Sequence, residues 1–196
     1  MHRQPGRAAP LLLAGLLCLA GCAGRIPATQ FTNPKFDFSF VERVAVLPFE
    51  NLSNDRQAGL RATRLMITEL LASGAVDVVE PGEVKTALAK LQVGQPGRSA
   101  QPSTEQVLSL GKTLNVQAVI VGTVTQSETL RSGAVAIPVV TLDTHMVETE
   151  TGATVWAATQ SEKGGGAGAR ILGTGGEPIS QTTRRCVQRL IETLVE

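Results

Sequence analysis

Four sets of residues in this chain have types and spacings that could do chemistry. Gly111-Lys112-Thr113 matches the tail of a phosphate-binding loop. Such a loop cradles phosphate on glycine backbone N–H groups between a strand and a helix, and it needs a glycine five residues before the Gly-Lys pair. That position holds Gln106, and the segment follows a helical period. Nucleotide binding is therefore not expected there. Gly164, Gly166 and Ala169 meet a relaxed dinucleotide pattern, which requires a helix to start at once so that its N-terminus faces the pyrophosphate. Gly173, Gly175, Gly176 and Pro178 exclude that helix. The expectation is a loop or a packing contact between subunits, with Arg170 as an interface residue. Asp143 and His145 lie two apart in a strand pattern and so share a face. A serine triad would need a nucleophile elbow G-x-S-x-G, which the chain lacks. The last set is the thiols Cys18, Cys22 and Cys186. One histidine and one thiol fall short of a zinc ligand set once the leader is discounted. No catalytic, cofactor-binding or metal-ligating residue and no small-molecule substrate is expected, and the chain reads as a non-enzyme.

Cys22 is a different matter, because of what precedes it. Met1 to Arg7 carries Arg3 and Arg7 and no acid, and Ala8 to Ala20 is an apolar run of 13 residues. A spanning helix needs about 20 residues, so this is the hydrophobic part of a cleavable leader rather than an anchor. An ordinary secreted protein cut near Ala20 or Ala23 would carry a similar leader. The order Leu19-Ala20-Gly21-Cys22 resembles the lipobox of bacterial lipoproteins, in which the chain is cut before the cysteine and the thiol is acylated. The resemblance implies a signal peptide over 1–21 and three acyl chains, palmitate among them, on Cys22. One acyl chain holds a membrane marginally and two hold it firmly. Ala23 follows the cysteine where an aspartate would direct inner-membrane retention, so the implied address is the periplasmic face of the outer membrane.

Removal of residues 1–21 from the 196 leaves 175, enough for one domain with a sizeable core. The chain has 18 basic and 17 acidic residues, and the leader takes two of the basic ones, Arg3 and Arg7. The near-neutral remainder lacks the basic footprint of a nucleic-acid module. Cys186 is left as the free thiol, so no internal disulfide is expected, and it reads as a small core residue.

The elements that must position these groups follow from periodicity. Residues 22–35 contain Pro27 and Pro34 and no apolar period, which reads as a lipidated tether. Phe36, Phe38 and Phe40 alternate as in an extended segment with one buried face. Val41–Phe49 is a strand that Pro48 terminates. Ala62, Leu65, Met66 and Leu70 give a helix running to Ser73, with Gly74 at its C-terminus. Val76–Glu80 is a short strand. Val84, Ala87, Leu88 and Leu91 mark a second helix. Ser103 and Gln106 form a capping box for a third, which holds Val107, Leu110 and Leu114. Gly111 would allow that helix close approach to the sheet.

Ala118–Val124 (AVIVGTV) reads as a central strand buried on both faces. Thr125–Val140 is interrupted by Arg131, Gly133 and Pro138. Val139–Thr149 and Ala153–Gln160 form a hairpin through Thr151-Gly152. Trp156 on its second strand is a core or rim aromatic, or else an interface or ligand platform. A last helix buries Val187, Leu190, Ile191 and Leu194 and turns Arg184, Arg185 and Arg189 to water or a partner. The predicted fold class is α/β: a single domain over 36–196 with a mixed sheet of five or so strands and helices packed on it.

Val44-Ala45-Val46-Leu47-Pro48-Phe49 with Asn51, then Val78-Val79-Glu80, Ala118 to Gly122, Thr151-Gly152 and Val155-Trp156 resemble, in that order, the CsgG-like lipoproteins and TolB N-terminal-type domains. The resemblance implies an oligomer-forming lipoprotein that assembles or exports envelope material, as in curli-type secretion. Its partners would be the membrane through Cys22, envelope proteins, and copies of itself. The pore of such proteins uses long membrane hairpins, and no pair of them is expected here. An alternative is likeness to LpoB, a lipoprotein that activates a peptidoglycan synthase across a long tether. The tether here is about a dozen residues, short for that reach.

Overall fold

The structure is a computed structural model that describes residues 27–94, 101–132, 135–165 and 177–195. The strands are β1 (Thr29–Thr32), β2 (Arg43–Val46), β3 (Glu50–Asn51), β4 (Asp77–Val78), β5 (Ala118–Ser132), β6 (Val135–Glu148) and β7 (Thr154–Lys163). The helices are α1 (Ala58–Ser73), α2 (Pro81–Lys90), α3 (Thr104–Leu114) and α4 (Ile179–Val195). The seven strands form one mixed sheet in the order β1-β7-β6-β5-β2-β4, with β3 added on β5. The parallel pairs join β2 to β4 and β5, and β3 to β5; the other pairs are antiparallel.

Alternation along the central strands divides the core in two. Val44 and Val46 of β2 and Ala118 and Ile120 of β5 pack under α1 and α4. Ala45, Leu47, Val119 and Val121 pack on the other face under α2 and α3. This is the two-sided burial that a continuous apolar run anticipates. The helix signals hold as well. Gly74 closes α1 in the left-handed region at φ 65°. The Ser103 hydroxyl accepts from the Gln106 N–H while the Gln106 side chain accepts from the Ser103 N–H, completing the capping box.

Four local readings change. Thr29–Thr32 is not free tether. It pairs along β7, Thr29 with Thr159 and Thr32 with Trp156, so the folded domain starts before residue 36. Phe38–Phe40 is a 3-10 turn rather than an extended run, because the Asp37 carboxylate caps it by accepting from the Ser39 N–H at 2.9 Å. Of the basic residues on α4, Arg184 is exposed as expected, though it pairs with Glu69 at 2.6 Å; Arg189 and Arg185 are half-buried against acids of their own chain, Glu162 at 2.5 Å and Glu177.

The fourth change is the largest. Thr125–Val140 is part of a continuous hairpin whose register runs from Ala118↔Glu148 to Ser132↔Val135. Pro138 fits because β7 ends opposite Val139, at Lys163. The carbonyl of Pro138 points to that side and accepts from the Gly164 N–H at 2.7 Å, so the ladder goes one residue past β7 through this single bond, and the proline ring sits at the strand's end. Beyond Val139 the hairpin stands as an arm, with no strand on either edge among the described residues.

Candidate interaction surface

The two ends of the sheet differ in structure. One carries the turn from β6 to β7, and the other carries the arm. The described chain begins toward the arm end, since β1 runs antiparallel to β7 and Thr29 lies level with Thr159 and Asp143.

The root of the arm is built around one register shift. The pairing skips between Val124↔Leu142 and Gln126↔Thr141, so Thr125 is the extra residue. The bulge brings Ser127 opposite Val140, onto the face that α1 and α4 cover. There the Ser127 hydroxyl donates to Asp55 Oδ2 at 3.1 Å and accepts from Arg61 Nη2 at 3.1 Å. Arg61 also pairs with Asp55, and its Nε donates to Thr183 Oγ1 at 3.3 Å. One guanidinium thus ties α1, α4, the loop before α1 and the arm. Burial alone would raise the Asp55 carboxyl. The hydrogen bonds from Arg61, the Gln57 N–H and Ser127, with the Arg61 charge, outweigh it and hold the group below its ordinary value.

At the opposite end lies a groove of about 830 Å³ lined by Phe36, Phe40, Glu42, Leu108, Lys112 and Glu148, among others. Phe40 is 71% exposed. The floor is aromatic and aliphatic, and the rim carries three carboxylates, Glu42, Glu148 and Glu150, against Lys112. Such a surface suits a partner with an apolar anchor beside a basic group. The alternating phenylalanines predict one buried face, and the 3-10 turn that turns Phe40 outward is not readable from alternation.

The residues singled out for chemistry do not converge. His145 and Asp143 lie on β6 on the face away from α4, and Asp143 accepts from the Thr159 hydroxyl at 2.5 Å. Cys186 lies under α4 on the opposite face, fully buried, with its thiol 3.2 Å from the Gln160 carbonyl. Burial first, then the nearby Glu162 charge, push that thiol far above its ordinary value. The sheet therefore separates Cys186 from His145. Among the described residues no group of three or more His, Cys, Asp or Glu side chains could hold a metal ion.

Gly111-Lys112-Thr113 lies in the last turn of α3, with Gly111 packed on Thr149. Trp156 is 1% exposed, with its indole N–H 3.3 Å from Thr193 Oγ1. It is a core aromatic under α4 and offers a partner no surface, which removes it as an interface residue. Cys22, Arg170, Gly166 and Ala169 lie outside the described residues.

No family model matches the chain, and no curated protein matches it. Solved structures do. The PelC dodecamer from Paraburkholderia phytofirmans, as a single-substitution variant, aligns with TM-score 0.59 at 20% identity, over 86% of this chain and 98% of that one. The lipoprotein GNA1162 from Neisseria meningitidis aligns with TM-score 0.56 at 15% identity, over 79% of this chain and 98% of that one. The fold is shared with these proteins nearly end to end. One of them is a dodecamer and another a lipoprotein. No described helix is long and apolar enough to cross a membrane.

Proposed function

We propose that this chain is a non-enzymatic lipoprotein, anchored through acylated Cys22 on the periplasmic face of the outer membrane, that works by binding envelope proteins and copies of itself. Residues 1–21 are its signal peptide, and the domain follows a tether from Cys22 to Ala28. The observation that carries this reading is Leu19-Ala20-Gly21-Cys22 directly before a domain that shares its fold with a named lipoprotein and a dodecamer. The finer reading is a CsgG-like role in assembly or secretion of envelope material. It is supported by the fold, the acid-rimmed groove, and the separation of His145 from Cys186.

A regulator of the LpoB kind is less well supported. Seven residues of chain lead from Cys22 to Thr29, where the chain joins the sheet. Fully extended they span about 24 Å. That keeps the domain at the membrane instead of carrying it to a distant enzyme.

The test is crosslinking in intact cells, followed by size analysis and identification of attached chains. Homo-oligomeric ladders or envelope proteins, lost in Cys22→Ser, are expected. A strict monomer with no envelope partner would remove the proposal.

A further inference from the structure

The arm and the start of the domain point the same way, and their lengths match. Thr29 lies level with Asp143 of β6 through the pairs Thr29↔Thr159 and Asp143↔Thr159. From Asp143 to Val135, where the pairing ends, is eight residues of strand. At strand rise the arm therefore reaches about 27 Å beyond that level. The tether from Cys22 to Thr29 reaches about 24 Å at most. With the arm directed at the bilayer, the tether is too short to hold its tip clear of the lipid.

The described end of the arm has the composition for such a contact. Leu130 and Ile137 are a register pair, so they sit side by side on one face. Leu130 is 46% exposed and Ile137 is half-buried. Arg131, exposed on the other face opposite Ala136, is a cation placed to meet phosphate headgroups. A strand that spans a bilayer needs about 9–11 residues with alternating apolar positions, but four pairs, Thr129↔Pro138 to Ser132↔Val135, stand beyond β7. The arm can touch the bilayer but cannot cross it.

We propose that the β5–β6 arm is a second membrane contact: Leu130 and Ile137 enter the phospholipid surface that holds the acylated Cys22, and so set the domain upright on it. This rests on the lipid-anchor reading above.

The full acylated protein, reconstituted into vesicles of phosphatidylethanolamine and phosphatidylglycerol, tests it. A bimane probe is placed at Thr129→Cys, on the arm, or at Glu150→Cys, in the turn at the far end. Cys22 is acylated and Cys186 buried, so the new thiol takes the label. Quenching by nitroxide-bearing lipid should be several-fold greater at position 129 than at 150. It should fall to the level of position 150 in Leu130→Asp/Ile137→Asp, while flotation with the vesicles persists. Flotation with equal quenching at both positions overturns the arm contact and leaves the anchor standing. A blue-shifted probe at 129 that lipid does not quench assigns the arm to a second copy and overturns the contact. Loss of flotation in the unsubstituted protein overturns the anchor and the contact together.

Discussion

The Ser127 hydroxyl lies 3.1 Å from Asp55 Oδ2 across 72 residues of chain, and Arg61 bonds to both. This contact fixes the root of the β5–β6 arm to the loop before α1. Removing one partner of a part-buried hydrogen-bonded set costs about 1–3 kcal/mol. Ser127→Ala should therefore lower unfolding free energy by about 1–2 kcal/mol in urea titration. It should also raise hydrogen exchange at the arm more than in β2. Equal exchange in both places would mean that Ser127 does not hold the arm.

Asp55 gives the same cluster a pH signature. Its carboxyl is held below the ordinary value in the fold, so its contribution is present above the unfolded pKa, about 3.9, and is lost as pH falls through the lower folded value. Wild-type stability should drop on acidification below about pH 4, and Asp55→Asn should be less stable at pH 7 with a flatter acid limb. Parallel acid limbs in the two proteins would exclude a role for this carboxylate.

Gly111 of α3 lies against Thr149, so close that a Cβ at Gly111 would sit 2.4 Å from the Thr149 Cβ. Alanine would gain about 1 kcal/mol of helix propensity. Overpacking costs about 1–3 kcal/mol, and here the clash is with an atom fixed to the backbone of the β6–β7 turn, so the cost wins. Gly111→Ala should be destabilising by calorimetry. Thr149→Ala should not rescue it, because the colliding atom remains, whereas Thr149→Gly should relieve the clash. Rescue by alanine would show that the hydroxyl or methyl, not Cβ, makes the contact.

Much of this architecture was legible because it rests on local rules. Ser103 and Gln106 announced the start of α3, and Ala118–Val124 announced a strand covered on both faces. Two features were not legible, for different reasons. Pro138 reads as a strand breaker, yet it sits just past the end of β7, where its carbonyl still accepts from the Gly164 N–H. Thr29–Thr32 has no apolar alternation, because backbone pairing with β7 places it and all four residues are exposed. The candidate surface was not readable from local pattern. The phenylalanine spacing reads as one buried face, whereas Phe36 and Phe40 line the groove, and its carboxylates gather Glu42 with Glu148 and Glu150 from distant points of the chain.

Trp156 is the chain's single tryptophan and lies in the core with its indole N–H toward Thr193. Its fluorescence should therefore report global unfolding without added probes. Trp156→Ala should cost about 3–5 kcal/mol, near the whole stability of many domains. Thr193→Val keeps the shape and removes one hydrogen-bond acceptor, so it should cost only about 1 kcal/mol. A native emission maximum at the fully solvated position, or a neutral Trp156→Ala, would contradict the burial.

Cys186 turns the docking of α4 into a chemical measurement. The thiol is fully buried between α4 and the sheet, and burial pushes it well above its ordinary ionisation range. Only the thiolate reacts with a maleimide, so the folded chain should resist labelling even at pH 8. Reaction then requires α4 to lift. Breaking the Arg184–Glu69 link from α4 to α1 by Arg184→Ala leaves the buried Glu69 carboxylate with the Gln188 amide as its α4 partner and no countercharge, which should speed labelling. Trp156→Ala, in the layer beneath α4, should speed it further. Labelling rates should follow the stability of each variant if α4 comes away only in global unfolding. Rates that rise in Arg184→Ala without a matching fall in the urea midpoint would show that α4 opens alone. Rapid labelling of the unaltered native chain would contradict the placement of Cys186.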